Sequence, residues 1–276
     1  MKSRWVINLL LLVAIGLLSL ISYQQSKQPE TDTTQLTSLN PDSITEISLH
    51  RPTYADLVFS KQGKSWVILS DPLITADQGR IRSLLNIATQ TTLREYSADS
   101  IDAGKLGFTE SSSHIRLNNL TIIFGDIDAL DGLRYVRTDK RMALIADDYQ
   151  RALNADFTWF MNKRLIPVNR HILSLQLPGQ TMSRSGGKWI SIPSSTHSPE
   201  EIQAFIQSWE DSAALNIERY EPDTDTDQII LELDNPNEVI HLDIVSRENE
   251  LILGRADYRV QYKLGNAYQT LLSISQ

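Results

Sequence analysis

The 276-residue sequence contains no cysteine. Disulfide bonds, zinc–thiolate sites, iron–sulfur clusters, a cysteine nucleophile and a lipid-modified cysteine are therefore all excluded. Basic residues are in deficit: 26 Lys and Arg stand against 34 Asp and Glu, for a net charge of -8 and a pI near 5.2. Such a balance lacks the basic face that neutralising phosphates requires, so no nucleic acid is expected as partner. Signature motifs of chemistry are also missing. There is no G-x-x-x-x-G-K-[ST] phosphate loop and no G-x-S-x-G elbow. The five histidines (His50, His114, His171, His197 and His241) form neither H-x-H nor H-E-x-x-H. No catalytic residue, metal or cofactor is expected. What remains is ordinary globular composition, 41% hydrophobic and 22% charged.

The N-terminus departs from that average. Lys2 and Arg4 precede an apolar run over residues 5–23, interrupted only by Asn8, Gly16, Ser19 and Ser22. At 1.5 Å per residue the run spans about 28 Å as a helix, enough for a hydrocarbon core. Trp5 and Tyr23 stand at its ends, where aromatic rings favour the membrane interface. Three readings stand: an uncleaved transmembrane anchor, which is preferred, a cleaved signal peptide, second in order, and a hydrophobic core helix, last. The second is disfavoured because no small-x-small pair ends the run. Positive residues ahead of the run place the N-terminus in the cytoplasm and the rest outside, at an inner membrane crossed once. Residues 24–42, rich in Gln, Thr and Ser, read as a flexible linker.

Beyond the linker one pattern recurs. Alternating strands are expected at Ile44, Ile47 and Leu49 and again at Ile172, Leu175 and Leu177. Each is followed by a second strand, a glycine turn (Gly63; Gly186 and Gly187) and a tryptophan strand (Trp66; Trp189). A helix comes next in each half. Thr75 to Gln78 has the spacing of a capping box ahead of Ile81, Leu84, Leu85 and Ala88. Ser198, Pro199 and Glu201 offer a second box ahead of Ile202, Phe205, Ile206 and Trp209. Later strands are aligned as 114–117 with 240–244, 121–125 with 251–254, 133–137 with 258–262, and 142–145 with 270–274. Residues 229–233 are left as an extra strand. Residues 147–160 read as a helix. The expected class is α+β: a transmembrane helix, then two tandem similar units, 43–166 and 167–276. Each unit would be a mainly antiparallel sheet with a long helix packed on one face.

This layout resembles the DUF4340 family of uncharacterised envelope proteins. The resemblance is carried by the strand at 44–49, Trp66 to Leu69, Ala76 to Gln78, and Ile123 to Gly125. Arg134 to Arg137 and Phe157 through Lys163 to Ile166 extend it. It covers residues 44–166 well and the second half as a degenerate copy. The family implies no activity that can be assigned to residues. It does imply a setting, since some members are linked to gliding-type ABC transport systems as extracytoplasmic accessory parts.

Two acidic clusters deserve a calcium test. Asp126, Asp128 and Asp131 precede Gly132, but Arg137 occupies the twelfth position. Asp223, Asp225 and Asp227 have Asp234 at twelve, with Gln228 where the turn glycine belongs. The plainer readings are a hairpin tip and a loop before a strand. Arg134, Arg137, Lys140 and Arg141 read as a solvated strand edge. Phe157, Trp159 and Phe160 read either as a seam between the units or as an exposed partner contact. The leading expectation is a membrane-anchored, non-enzymatic binding or scaffold subunit of an envelope complex, accessory to an ABC-type transporter. The alternative is an enzyme or a ligand or glycan sensor with its site in a crevice between the repeats.

Overall fold

The structure is a computed structural model that describes residues 15–16, 34–97, 102–194, 197–223, 226–235 and 238–274. The expected anchor over residues 1–23 lies outside the described residues except for Ile15 and Gly16. No helix among the described residues is long and apolar enough to cross a membrane.

Strands dominate. The first half carries β1 (Glu46–Arg51), β2 (Tyr54–Gln62), β3 (Ser65–Ile68), β4 (Ile74–Thr75), β5 (Arg94–Tyr96) and β6 (His114–Leu117). It continues with β7 (Leu120–Ile127), β8 (Arg134–Arg137) and β9 (Met142–Ile145). The second half carries β10 (Ile172–Leu177), β11 (Gln180–Ser185), β12 (Lys188–Ile192), β13 (Asn216–Arg219) and β14 (Gln228–Leu233). It ends with β15 (Val239–Ser246), β16 (Leu251–Arg255) and β17 (Val260–Gly265). They are accompanied by the α-helices α1 (Gln78–Leu85), α2 (Gln150–Leu153) and α3 (Pro199–Glu210).

The strands form two sheets. One runs β4-β3-β2-β1-β6-β7-β8-β9-β5 and the other β12-β11-β10-β14-β15-β16-β17-β13. Apart from β4, the two orders are the same topology. The chain also divides into two compact units. One comprises residues 44–85, 115–119 and 149–276, and the other holds 86–114 and 120–148 with the stretch before Ile44.

The expected α+β class is corrected by this architecture, which is mostly β, with 42% strand and 20% helix. The physical reason is the period of the buried positions. In β1, Ile47, Leu49 and Arg51 are buried at every second residue, and in β17 so are Val260, Tyr262 and Leu264. Among the described residues a sustained helical stripe exists only in α3, where Ile202, Phe205, Ile206 and Trp209 are all buried. In the first half the helix stops at Leu85 and gives way to a 3-10 turn, Asn86–Thr89. Asn86, Ile87 and Thr89 are all weak helix formers.

Four local expectations are also revised. First, Thr75 does not cap α1. It lies in β4, and Asp77 Oδ1 instead accepts from the Arg80 amide at 3.0 Å. Gln78 does not close a box either: its carboxamide accepts from Trp66 N (3.0 Å) and donates to the carbonyls of Trp66 (3.3 Å) and Ala76 (2.8 Å). Second, residues 147–160 are not one helix. Asn154 follows α2 with its own amide donating to the Gln150 carbonyl. Asp156 then caps a separate 3-10 turn, Phe157–Phe160, through Thr158 N. Short Asn and Asp side chains compete with helical backbone bonds in this way.

Third, residues 270–274 are not a strand, because Gly265 at φ 71 turns the chain out of β17 into a 3-10 helix, Asn266–Leu272. Fourth, the strand alignment slips by one. By sheet position β6 matches β14, β7 matches β15, β8 matches β16 and β9 matches β17, so the strand set aside as extra is a regular member. By contrast, the Ser198 capping box forms with both halves in place, and Gly63 and Gly186 turn their hairpins at φ 61 and 57.

Trp209 anchors α3. Its side chain is fully buried, and its indole Nε1 donates to the Leu271 carbonyl at 3.0 Å. Trp209→Phe keeps most of the apolar burial but leaves that carbonyl without a donor. Urea unfolding should show a loss of about 1–3 kcal/mol, with an unchanged m-value.

Candidate functional site

The larger unit contains a crevice of about 350 Å³. Its construction begins at Arg51. Strand alternation places this side chain on the buried face of β1 beside Ile47 and Leu49, and it is 1% exposed. The guanidinium is held by backbone: Nη1 donates to the Ala155 carbonyl, and Nη2 to the Ala55 carbonyl at 2.7 Å. Its central carbon lies 5.2 Å from the Tyr54 ring centroid and 5.8 Å from that of Phe160. Tyr54 repeats the tie, its hydroxyl donating to the Asn154 carbonyl at 3.0 Å. Burial lowers the Arg51 pKa, against the opposing pull of Asp156, Tyr54 and Asp56. The β1–β2 turn and the 154–156 backbone are thus pinned together by one cation.

That pin presents the next residue, Asp156, to the crevice. Asp156 Oδ1 starts the 3-10 turn, while Oδ2 accepts from Arg219 Nε at 3.0 Å and Nη2 at 2.7 Å. The Arg219 guanidinium stacks 5.3 Å from the Phe157 ring. The opposite wall is the turn between β16 and β17. It carries Asp257, Tyr258 and Arg259, with Arg259 in the left-handed region at φ 54. A side chain in that region costs roughly 1–2 kcal/mol. Arg259 is exposed at the crevice and makes no side-chain hydrogen bond or ion pair among the described residues; the same is true of Asp71.

The other polar groups are committed. Ser70 Oγ donates to the Pro72 carbonyl at 2.7 Å, Asp56 pairs with His50 at 2.7 Å, and Tyr258 OH donates to the Leu73 carbonyl at 3.1 Å. No hydroxyl in the crevice is hydrogen-bonded to a histidine or carboxylate that could take its proton.

A second recess of about 230 Å³ shares Ile74 and Tyr258 with the crevice. Its cations are answered locally. Arg164 donates to the Glu210 carbonyl at 2.6 Å, and Arg170 to Glu238 at 2.8 Å. Arg255 pairs with Asp257 at 3.0 Å and lies 3.7 Å from the Tyr258 centroid. Burial raises the pKa of Tyr258, and it pushes that of Tyr262 up to about 12.

The structure distributes the sequence candidates as follows. Phe160 is fully buried, 5.3 Å from Phe59 and edge-on to Trp159 at 4.7 Å, so it belongs to the core. Phe157 lines the crevice and Trp159 a separate open recess, both half-buried. Asp131 pairs with Arg94, and Asp128 accepts from Tyr135 OH at 3.3 Å. In the other cluster Asp227 pairs with Arg247 at 2.5 Å, and Asp225 lies outside the described residues. Among the described residues no group of three or more His, Asp or Glu is placed to hold a metal ion.

The expected solvated edge is corrected. β8 is an interior strand, and Arg134 forms a two-pronged pair with Asp147 (2.6 and 3.0 Å) in which both side chains are about 10% exposed. Sequence reasoning missed Arg51, Asp156, Arg219 and Arg259 altogether. The only local signal was an arginine at the buried phase of an alternating strand.

With this geometry in place, comparison with known proteins adds one result. Residues 66–236 match the family described as "Domain of unknown function (DUF4340)". No curated protein and no solved structure matches the chain.

Two measurements probe the site's construction. Arg51→Ala empties a buried site and releases the Ala55 and Ala155 carbonyls, and should cost about 2–4 kcal/mol in urea unfolding. Asp156→Asn removes only a pair whose arginine is largely exposed, and should cost about 1 kcal/mol or less. Tyr262 gives a pH dependence. Its folded value near 12 lies above its ordinary 10.0, so its contribution is complete below pH 10 and is lost as pH rises from 10 to 12. The full span is about 3 kcal/mol. Stability measured across that window should fall less steeply in Tyr262→Phe than in the wild type.

Proposed function

This chain belongs to the DUF4340 family, and we propose that it is a membrane-anchored, extracytoplasmic binding or scaffold subunit of an envelope complex. In this reading it acts without chemistry of its own, beside an ABC-type transporter. The supporting observation is the crevice. Apart from Arg259 and Asp71, its charged groups are held by one another, by His50 or by backbone, its one serine is spent on a carbonyl, and a mixed-charge recess remains. Such a recess suits recognition of a polar ligand or peptide segment. The apolar run at residues 5–23, preceded by Lys2 and Arg4, supports the single span and the outward orientation.

A second reading, a sensor for a small polar ligand, draws on Arg259 and Asp71. These two oppositely charged side chains line the crevice with no partner of their own among the described residues.

One experiment addresses partner and topology together. A membrane-impermeant lysine crosslinker is applied to cells from the extracytoplasmic side, followed by detergent extraction and capture of a C-terminally tagged full-length chain. Recovery of envelope or transporter subunits crosslinked to the chain is the expected result. An uncrosslinked chain across reagents of several lengths overturns the scaffold reading, and labelling only after the membrane is broken overturns the orientation.

A further inference from the structure

Within the larger unit, a third recess of about 500 Å³ opens beside Trp159. The proposed function does not use it. Three cations from three elements converge there: Arg80 on α1, Arg151 on α2, and Lys163 after the 3-10 turn. Its only carboxylate, Asp156, has both oxygens engaged, one by Thr158 N and the other by Arg219. The donors, by contrast, are largely unspent. Arg151 has no ion pair or hydrogen bond from its guanidinium among the described residues, and its only contact of note is with the Trp159 ring, at 5.9 Å. Arg80 lies 4.5 Å from the same ring, and its nearest carboxylate oxygen, on Asp77, is 3.9 Å away. Lys163 donates once, to the Leu215 carbonyl, leaving two hydrogens.

In a chain of net charge -8, gathering like charges around one indole is unfavourable unless something relieves it. Burial lowers the Arg80 pKa; Asp77 pulls against it, and the neighbouring Arg151 adds to the lowering. Arginine forks are matched geometrically to tetrahedral oxyanions, which each can grip through two parallel hydrogen bonds; that of Arg151 is exposed and unpaired among the described residues, and that of half-buried Arg80 meets only Asp77, at 3.9 Å. A single carboxylate offers too few oxygens for three cationic groups. We propose that Arg80, Arg151 and Lys163, arrayed around Trp159, form a binding site for a phosphate-bearing ligand. Because the recess is open and larger than a phosphate, the anion is carried on a larger body whose apolar part lies on the indole. This recess shares only Asp156 with the crevice and its cations are not used there, so the proposal stands or falls independently of the scaffold reading.

The test uses the full-length chain in a non-ionic detergent and isothermal titration with inorganic pyrophosphate. A second arm uses dihexanoyl phosphatidylglycerol below its micelle concentration. Binding that weakens with added salt and falls about tenfold in Arg151→Gln supports the site. Arg151→Lys keeps the charge but loses the fork, so its affinity should fall between those of the wild type and Arg151→Gln. Arg151 is exposed, and an unchanged thermal midpoint in both variants certifies that they fold. Binding of pyrophosphate alone identifies a soluble phosphate as the source, and binding of the lipid alone identifies a headgroup; either upholds the proposal. Wild-type affinity in Arg151→Gln, equal binding of citrate, or no binding in either arm overturns it.

Discussion

The crevice depends on a guanidinium taken out of water. Arg51 is buried to 1% exposure, yet no carboxylate answers it directly; two backbone carbonyls and two ring faces do. A buried unpaired charge is expensive, and here it is offset by two backbone carbonyls and two ring faces, while Nε has no hydrogen-bond partner among the described residues. Removing the charge leaves carbonyls unmet, while moving the backbone leaves the charge unmet. The 154–160 segment is therefore held in one place. From it follow the cap at Asp156, the clasp on Arg219, and the placement of Phe157 and Trp159 in two different recesses.

A shared strand order gives the chain its second constraint. Eight strands repeat in one order across both sheets, and each helix enters after the third or fourth strand, before the order jumps to the far edge. In the second half that helix is long enough to bury a full stripe, and Trp209 locks it to the chain's last turn. In the first half α1 is shorter, and Gln78 uses its carboxamide as a substitute strand, pairing with the backbone of Trp66. The two helices solve the same packing problem with different polar devices. Close packing adds its own limits: a Cβ at Gly254 would sit 2.5 Å from the Tyr220 ring. Tyr220 in turn donates to the buried Asp243 at 2.9 Å, which also accepts from Gln228 at 2.9 Å.

How much of this was legible follows from the range over which each signal acts. The Ser198 box and the Gly63 and Gly186 turns were legible because their physics is contained within a few residues. The Thr75 box was not, because a strand partner at Trp66 claimed Gln78, and spacing along the chain cannot reveal that. The 147–160 helix failed because its apolar period was read without the Asn154 and Asp156 side chains that interrupt it. The slipped strand alignment failed because alternation marks a strand without saying which neighbour it pairs with. Arg134 was misread for the same reason, since only sheet order shows that β8 is interior and that Asp147 lies beside it. The candidate site was the least legible part. Its residues lie far apart along the chain, from Arg51 to Arg259, and none belongs to a motif.

The distribution of charge completes the picture. Net charge of -8 argues against a broad polyanionic partner such as nucleic acid, because long-range steering follows the summed field. It says little about a single small anion, because a pocket a few ångströms wide is governed by its own lining. Around Trp159 that lining is cationic, with its only carboxylate already bound. The acidic remainder of the surface would repel bulk polyanions while three converging cations still grip one phosphate group. Arg134 with Asp147 and Arg219 with Asp156 show the usual fate of arginine in this chain, which is to be claimed by a neighbouring acid. Arg151, like Arg259, has no acid partner among the described residues, although acidic residues outnumber basic ones across the sequence. An arginine left without an acid in an acid-rich protein, stacked on an indole beside two other cations, is positioned for a ligand that brings the acid with it.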